Sequence, residues 1–403
     1  MTAYARVAVT VLTAALVTMS CGAPSAPVAV PSTAAPATAA PPPATAVPTP
    51  SCATQTVLSG PAQASLPVGA TPAPTLLPLV TANLTTVAIN RIPIPPIAGK
   101  TASIDIMEID QATHLLYVTD RTDNGLDVFD VATACAKYVK TIDLGSGPNG
   151  VVVAKNVNKV FVTLNDSNVV AIDIAPGSAN ADKVIAKLNT GGKKRADEID
   201  YDPKDKKIYA ANSDDGIVTV IDATTNAIVK KFDNMGDALE QPRYDSADGM
   251  MYLTSSDQNA IFQFDPTKDV LVKKFDVGTK CSPNGIAINP TTNQALLGCS
   301  SRSANVTVLW DLAAGKVLST FEQAGAGDAV FYSAKADRFF FAASNFNRGA
   351  LMAIFSGNPV RFVTAIPTAV GSHGVAYDET NGIVYTQDQN PNEGALFSFA
   401  PPR

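Results

Sequence analysis

The sequence predicts an all-β chain closed into a ring of seven four-stranded blades, a β-propeller, carried behind an exported N-terminus. Three observations lead there. A unit of about 45 residues recurs along most of the chain, the period of a propeller blade. Each unit holds short alternating apolar runs with turn signals every ten or so residues. Of the 403 residues, 46% are apolar and only 16% charged, enough to bury a core of that size.

Residues 1–21 read as a signal peptide. Arg6 precedes an uncharged, mostly apolar stretch from Val7 to Met19, too short to span a bilayer and right for a signal h-region. Ser20-Cys21-Gly22 follows at once and resembles the lipobox of bacterial lipoproteins, which implies lipidation of Cys21 after cleavage. Val17 stands one place before the usual aliphatic position of that motif, which Thr18 fills. The expected location is outside the cytoplasm, anchored to a membrane at the cell surface or in the periplasm.

Residues 22–83 read as a disordered Ala/Pro/Thr linker. They carry no charge and hold 14 of the 29 prolines, which removes backbone donors and forbids regular helix or sheet. Such a tether spans from roughly 45 Å as a coil to about 190 Å as extended polyproline II.

Residues 84–403 form the repeat domain. PNGVVVAKNVNKVFVTLNDSNVVAID from Pro148 and PNGIAINPTTNQALLGCSSRSANVTVLWD from Pro283 show the unit, and a variant runs from Ala196. Aligning second strands on Tyr117, Phe161, Tyr209, Tyr252, Leu296, Phe340 and Tyr385 gives intervals of 44, 48, 43, 44, 44 and 45 residues. An Asp closes the third strand in five units (Asp130, Asp173, Asp222, Asp265, Asp311), suited to an Asx-turn at the hairpin. The last unit has three strands before Arg403. LTTVAINRIPIP from Leu84 is the expected fourth, closing the ring and removing a sheet edge.

Units of the form PxGVAV…IYVAN…TVSVID, here with YVTD at Tyr117–Asp120 and YAAN at Tyr209–Asn212, resemble the YVTN-repeat, or YncE-like, seven-bladed propellers. The resemblance covers some 300 residues and implies the fold. It does not imply an activity, because such propellers host binding proteins and enzymes alike.

Twelve residues before each second-strand marker stand Asp105, Asn149, Asp197, Glu240, Asn284, Asp328 and His373. All are polar, and the position opens the innermost strand, facing the central channel. One reading is a repeated turn residue, supported by the PNG turns at Asn149 and Asn284. The other is a ligand-binding ring at the channel mouth. Converging carboxylates raise one another's pKa or recruit a cation, Ca²⁺ or another divalent ion, with Asp197, Glu240 and Asp328 as ligands. Six-bladed lactonases of the gluconolactonase type hold such a cation at the axis, and by analogy His373 is the one general base available for a hydrolase or lyase. Arg195, Arg243 and Lys280 lie close in sequence and offer plain ion pairs instead. His114 reads as a solvated turn residue. A second ring, Asp120, Leu164, Asn212, Ser255, Cys299, Ala343 and Asp388, is too mixed to suggest a built site.

Several classes are excluded. From Asp105 onward 36 acids face 27 bases, a net of −9, which argues against nucleic-acid binding. No CxxCH, Walker A, GxSxG or HExxH motif occurs. With Cys21 lipidated, four cysteines remain. Cys281 and Cys299 flank adjacent strands of one blade on the same face and pair as a disulfide, leaving Cys52 for Cys135. The expected function is a monomeric, membrane-tethered scaffold binding a small molecule or an envelope protein. The alternatives are the cation-dependent hydrolase and a structural or adhesion module of the envelope.

Overall fold

In the computed structural model the described residues are 52, 54–58, 84–96, 98–300, 306–325, 327–343, 350–369, 371–389 and 394–403. The signal segment, Cys21, most of the linker and the 344–349 loop lie outside them.

Each blade begins at the channel with an inner strand. These are Ile104–Asp110, Pro148–Ala154, Ile199–Asp202, Leu239–Tyr244, Pro283–Asn289, Val330–Ser333 and Ala376–Asp378 for blades 1 to 7. Three further antiparallel strands follow outward in sequence order in blades 1 to 6. The seven second-strand markers are all 1% exposed or less, so the column that sets the repeat is core. Burying such a side chain contributes roughly 1.5–3 kcal/mol. The core lies in wedges between blades rather than at one centre: Val152 and Phe161 of blade 2, for example, pack with Ile199 and Ile208 of blade 3. Outer strands meet solvent, leaving Val139, Val229 and Val272 about half exposed.

The turn from first to second strand places one residue in the left-handed region in every blade: His114, Asn158, Lys206, Gly249, Asn293, Asp337 and Gly382. The Asp closing the third strand makes the Asx-turn the repeat predicts. Asp130, Asp173 and Asp222 each accept the N–H two residues on, at 2.8–2.9 Å.

Seven blades close as the repeat requires. Ala88–Pro93 pairs with the last strand, Ala395–Phe399, as the fourth strand of blade 7. The linker reading is corrected at one point: Gln55–Val57 adds a fifth strand outside it, pairing Gln55 with Asn90. Residues 51–60 are the proline-free window of the linker, so donors are available there for a ladder. A disulfide between Cys52 and Cys135 fastens this strand to blade 1. Leu84 bridges to Ala365 on the outer strand of blade 6, which is accordingly buried where the other outer strands are open.

Candidate functional site

Blade-to-blade contacts position the polar ring. Thr119 on the second strand of blade 1 donates to the Asn149 carbonyl of blade 2 at 2.7 Å, and Thr254 donates to the Asn284 carbonyl at 2.6 Å. Thr163 reaches the Asp197 carbonyl in the same way. The glycine after the ring residue makes this approach possible. A Cβ on Gly285 would lie 1.8 Å from the Asp328 carbonyl oxygen, and one on Gly150 2.6 Å from that of Asp197. The PNG glycines therefore serve close contact between blades, beyond any turn chemistry.

Blades 7, 1 and 2 join into one network. His373 lies with Nδ1 2.6 Å from the Gly371 carbonyl and Nε2 2.6 Å from Asp105 Oδ1. The other Asp105 oxygen takes Arg121, whose Nε also donates to Asn149 Oδ1 at 2.9 Å. Burial alone would depress the imidazole, but the Asp105 bond and charge, with Asp328, lift its pKa to about 9. Burial likewise pushes Asp105 upward, yet the His373 hydrogen bond and Arg121 hold it below the usual carboxylate range. A pKa near 9 favours the protonated imidazole at neutral pH, with Nε2 facing the Asp105 carboxylate and Nδ1 facing the Gly371 carbonyl.

The remaining ring members stand apart from this network. Asp197 pairs with Arg195 at 2.8 Å, and burial still raises its pKa to about 7. Glu240 accepts from Ser256 Oγ at 3.0 Å, and burial with the charges of Asp328 and Asp197 lifts it to about 8. The Asp328 carboxyl makes no hydrogen bond or ion pair among the described residues and is raised by burial. Arg243 turns away to Asp200, and Lys280 is exposed. Among the described residues no three His, Cys, Asp or Glu side chains are grouped to hold a metal ion. Of the set Asp197, Glu240 and Asp328, the first is bound to a guanidinium and the second to a hydroxyl.

Sequence reasoning missed a column. Four residues after each marker stand Arg121, Asn165, Ser213, Ser256, Ser300, Ser344 and Gln389, all polar. Three of them partner the ring residue of their own blade: Arg121 holds Asp105, Ser256 holds Glu240, and Gln389 lies 3.1 Å from His373 Nδ1. The alignment that produced the ring contains this second signal.

Below the ring the channel opens into a cavity of about 400 Å³, to which every blade contributes from its inner strand. Ile106, Glu198, Gln241 and Ala329, each one residue past a ring member, form its upper wall. Deeper lie Glu108, Asp200 and Arg243, with Phe331, Tyr332 and Tyr377 as aromatic wall. Arg243 Nη1 meets Asp200 Oδ1 at 3.3 Å, and the Tyr244 N–H donates to the other oxygen at 2.7 Å. Burial and the Asp200 charge push Glu108 up to about 8. Glu198 is raised well above the carboxylate range by burial, then by Asp197, Asp328 and Asp105. None of these groups belongs to the predicted ring, because their columns vary in type from blade to blade.

Of the second ring, Asp120 caps its own turn through the Thr122 N–H, Asn212 binds Ser167, and Asp388 pairs with Arg91. Cys299 is bonded to Cys281, with Cα atoms 4.5 Å apart. His114 is more than a solvated turn residue: Nδ1 lies 3.0 Å from the buried Asp378 carboxylate of blade 7.

No protein-family model matches the chain, and no curated protein matches it. Many solved chains share its architecture. One, from the crystal structure of a mitotic checkpoint complex, superposes with a TM-score of 0.61 at 12% identity, covering 83% of this chain and 98% of that one. At that identity the likeness is one of fold, and by fold this chain is a seven-bladed β-propeller.

Proposed function

We propose that this protein is an exported, membrane-tethered propeller of the YVTN-repeat type that binds a small molecule or an envelope protein at its central channel. The observation that carries the reading is the cavity of about 400 Å³ walled by all seven inner strands. That size, with an aromatic wall and a few convergent polar groups, suits a ligand site. Asp105, Asp197 and Glu240 of the ring at its mouth are taken up with Arg121, Arg195 and Ser256, and His373, the one conventional base there, is engaged through both ring nitrogens. This favours recognition over chemistry.

Thermal-shift screening of a metabolite and peptide library tests it. Hits should raise the melting temperature of the wild type and lose that effect in Phe331→Ala and Arg243→Gln. Hits untouched by both substitutions would place binding elsewhere on the propeller. The tether is tested separately: Cys21→Ser should move the protein from the membrane fraction to the soluble one, and retention on the membrane would overturn the lipid anchor.

A further inference from the structure

The channel carries more acid than its bases neutralise. At the mouth Asp105, Asp197, Glu240 and Asp328 face Arg121, Arg195 and His373. One level down Glu198, Glu108, Asp200 and Glu379 face Arg243. Fully ionised, eight carboxylates would meet four cations in a half-buried channel, and uncompensated charge there is costly. The walls of the same space are apolar and aromatic, through Ile106, Phe331, Tyr332 and Tyr377.

We propose that the channel takes a linear polyamine, a methylene chain carrying ammonium centres, threaded along the propeller axis. The proposal rests on the channel being the binding site. Three features select this ligand class. The excess acid is spread over two levels, Asp197 just before the inner strand of blade 3 and Asp200 within it, three residues and at most about 10 Å of extended chain apart. A single ammonium cannot serve both levels, whereas the outer nitrogens of extended spermidine are about 11 Å apart. The methylene stem between them matches the apolar wall, and the aromatic side chains of Phe331, Tyr332 and Tyr377 line it.

Second, Glu198 has no side-chain partner among the described residues although it lines the cavity. Third, Gln241 occupies the equivalent position of the next blade and is 4% exposed. Its Oε1 takes the Ile286 N–H at 2.9 Å, while its Nε2 donors have no protein partner among the described residues. They are available to a carboxylate that gains its charge when the ligand arrives. In the empty channel the excess charge is held off by protons. Glu108 and Glu240 are both raised to about 8, and Glu198 is raised well above its ordinary value, burial being the largest cause each time. An alkylammonium, protonated to about pH 10, would displace those protons.

Calorimetric titration of spermidine into the full chain, in two buffers of different ionisation enthalpy, tests this. Binding should tighten by about tenfold between about pH 6.5 and about pH 8.5 and release about one to two protons per ligand. Glu198→Gln and Glu108→Gln should each weaken it by about tenfold without lowering the melting temperature. Should either variant fail to fold, the proton release of the wild type decides. Unchanged affinity in folded variants, or binding without proton release, would overturn the proposal. Glucose or succinate held in the channel, with spermidine ignored, would overturn the polyamine and leave the channel a binding site. If none of the three binds there, the binding reading of the channel falls as well.

Discussion

Asp127 shows how a single carboxyl can hold back the stability of a blade. It is 1% exposed on the third strand of blade 1, and Oδ1 accepts from Thr141. Its Oδ2 has no partner among the described residues. Burial, with the charges of Asp120 and Asp123, lifts its pKa to about 7. A raised folded-state pKa means that the proton is held more tightly in the folded chain. Stability is therefore complete below the unfolded value near 4 and is lost as pH rises through about 7, by something of order 3 kcal/mol. Asp127→Asn keeps an acceptor for Thr141 and adds a donor beside two carboxylates. It should raise the melting temperature at about pH 8.5 and leave it nearly unchanged at about pH 4, read by thermal denaturation. A variant less stable at both values would show that Oδ2 has a partner. Asp127 could not be found from the repeat, because burial of one oxygen depends on the loop packed over it and not on spacing. Arg121 stands in a legible polar column, but as its one charged member it differs in type from its six counterparts.

At the scale of the strand and turn, the repeat reported most of what the structure contains. The seven core markers, the five strand-closing aspartates and the closing strand at Ala88–Pro93 all follow from spacing, since spacing is what a duplicated unit preserves. The strand at Gln55–Val57 does not follow, being three residues inside a segment whose composition points the other way. Contacts between blades are likewise invisible in a list of units, and Gly285 is the sharpest case. With a Cβ 1.8 Å from a backbone oxygen, Gly285→Ala must push blades 5 and 6 apart. A loss of about 3 kcal/mol or more is expected in denaturant unfolding. A loss below about 1 kcal/mol would mean that the two blades slide without cost. The disulfides act on the same scale. Chain-entropy arguments give about 3 kcal/mol for Cys281–Cys299, 18 residues apart, and about 4.5 kcal/mol for Cys52–Cys135, 83 residues apart. Paired Cys52→Ala and Cys135→Ala substitutions should destabilise the protein more than the same change at 281 and 299. The reverse order in urea melts would mean that Gln55–Val57 holds without its covalent link.

For the whole ring, the channel charges set a common pH dependence. Asp197 near 7, Glu108 and Glu240 near 8, and His373 near 9 all bind protons more tightly folded than unfolded. The three carboxyls contribute fully below about pH 4 and lose that contribution as pH climbs through about 7 to about 8, while His373 contributes fully below about 6.5 and loses it through about 9. Asp105, Asp173 and Asp222 are held low and lose theirs only on acidification below their ordinary value. The melting temperature should therefore peak near about pH 4 and fall toward about pH 9, and a rise over that interval would contradict the assignment. The polar ring was legible as a column of residues. Its partners and charge state were not, because both come from neighbouring blades that the ring closure alone brings together.

The account turns on whether that ring is a set of satisfied charges or a site with a free base. The most direct measurement is an NMR titration of the His373 imidazole, assigned with His114→Asn because the chain has only two histidines. A cationic imidazole at neutral pH with a midpoint near 9 is expected. A neutral imidazole titrating near about 6.5 would leave a lone pair at the channel mouth and favour the hydrolase over the binding scaffold.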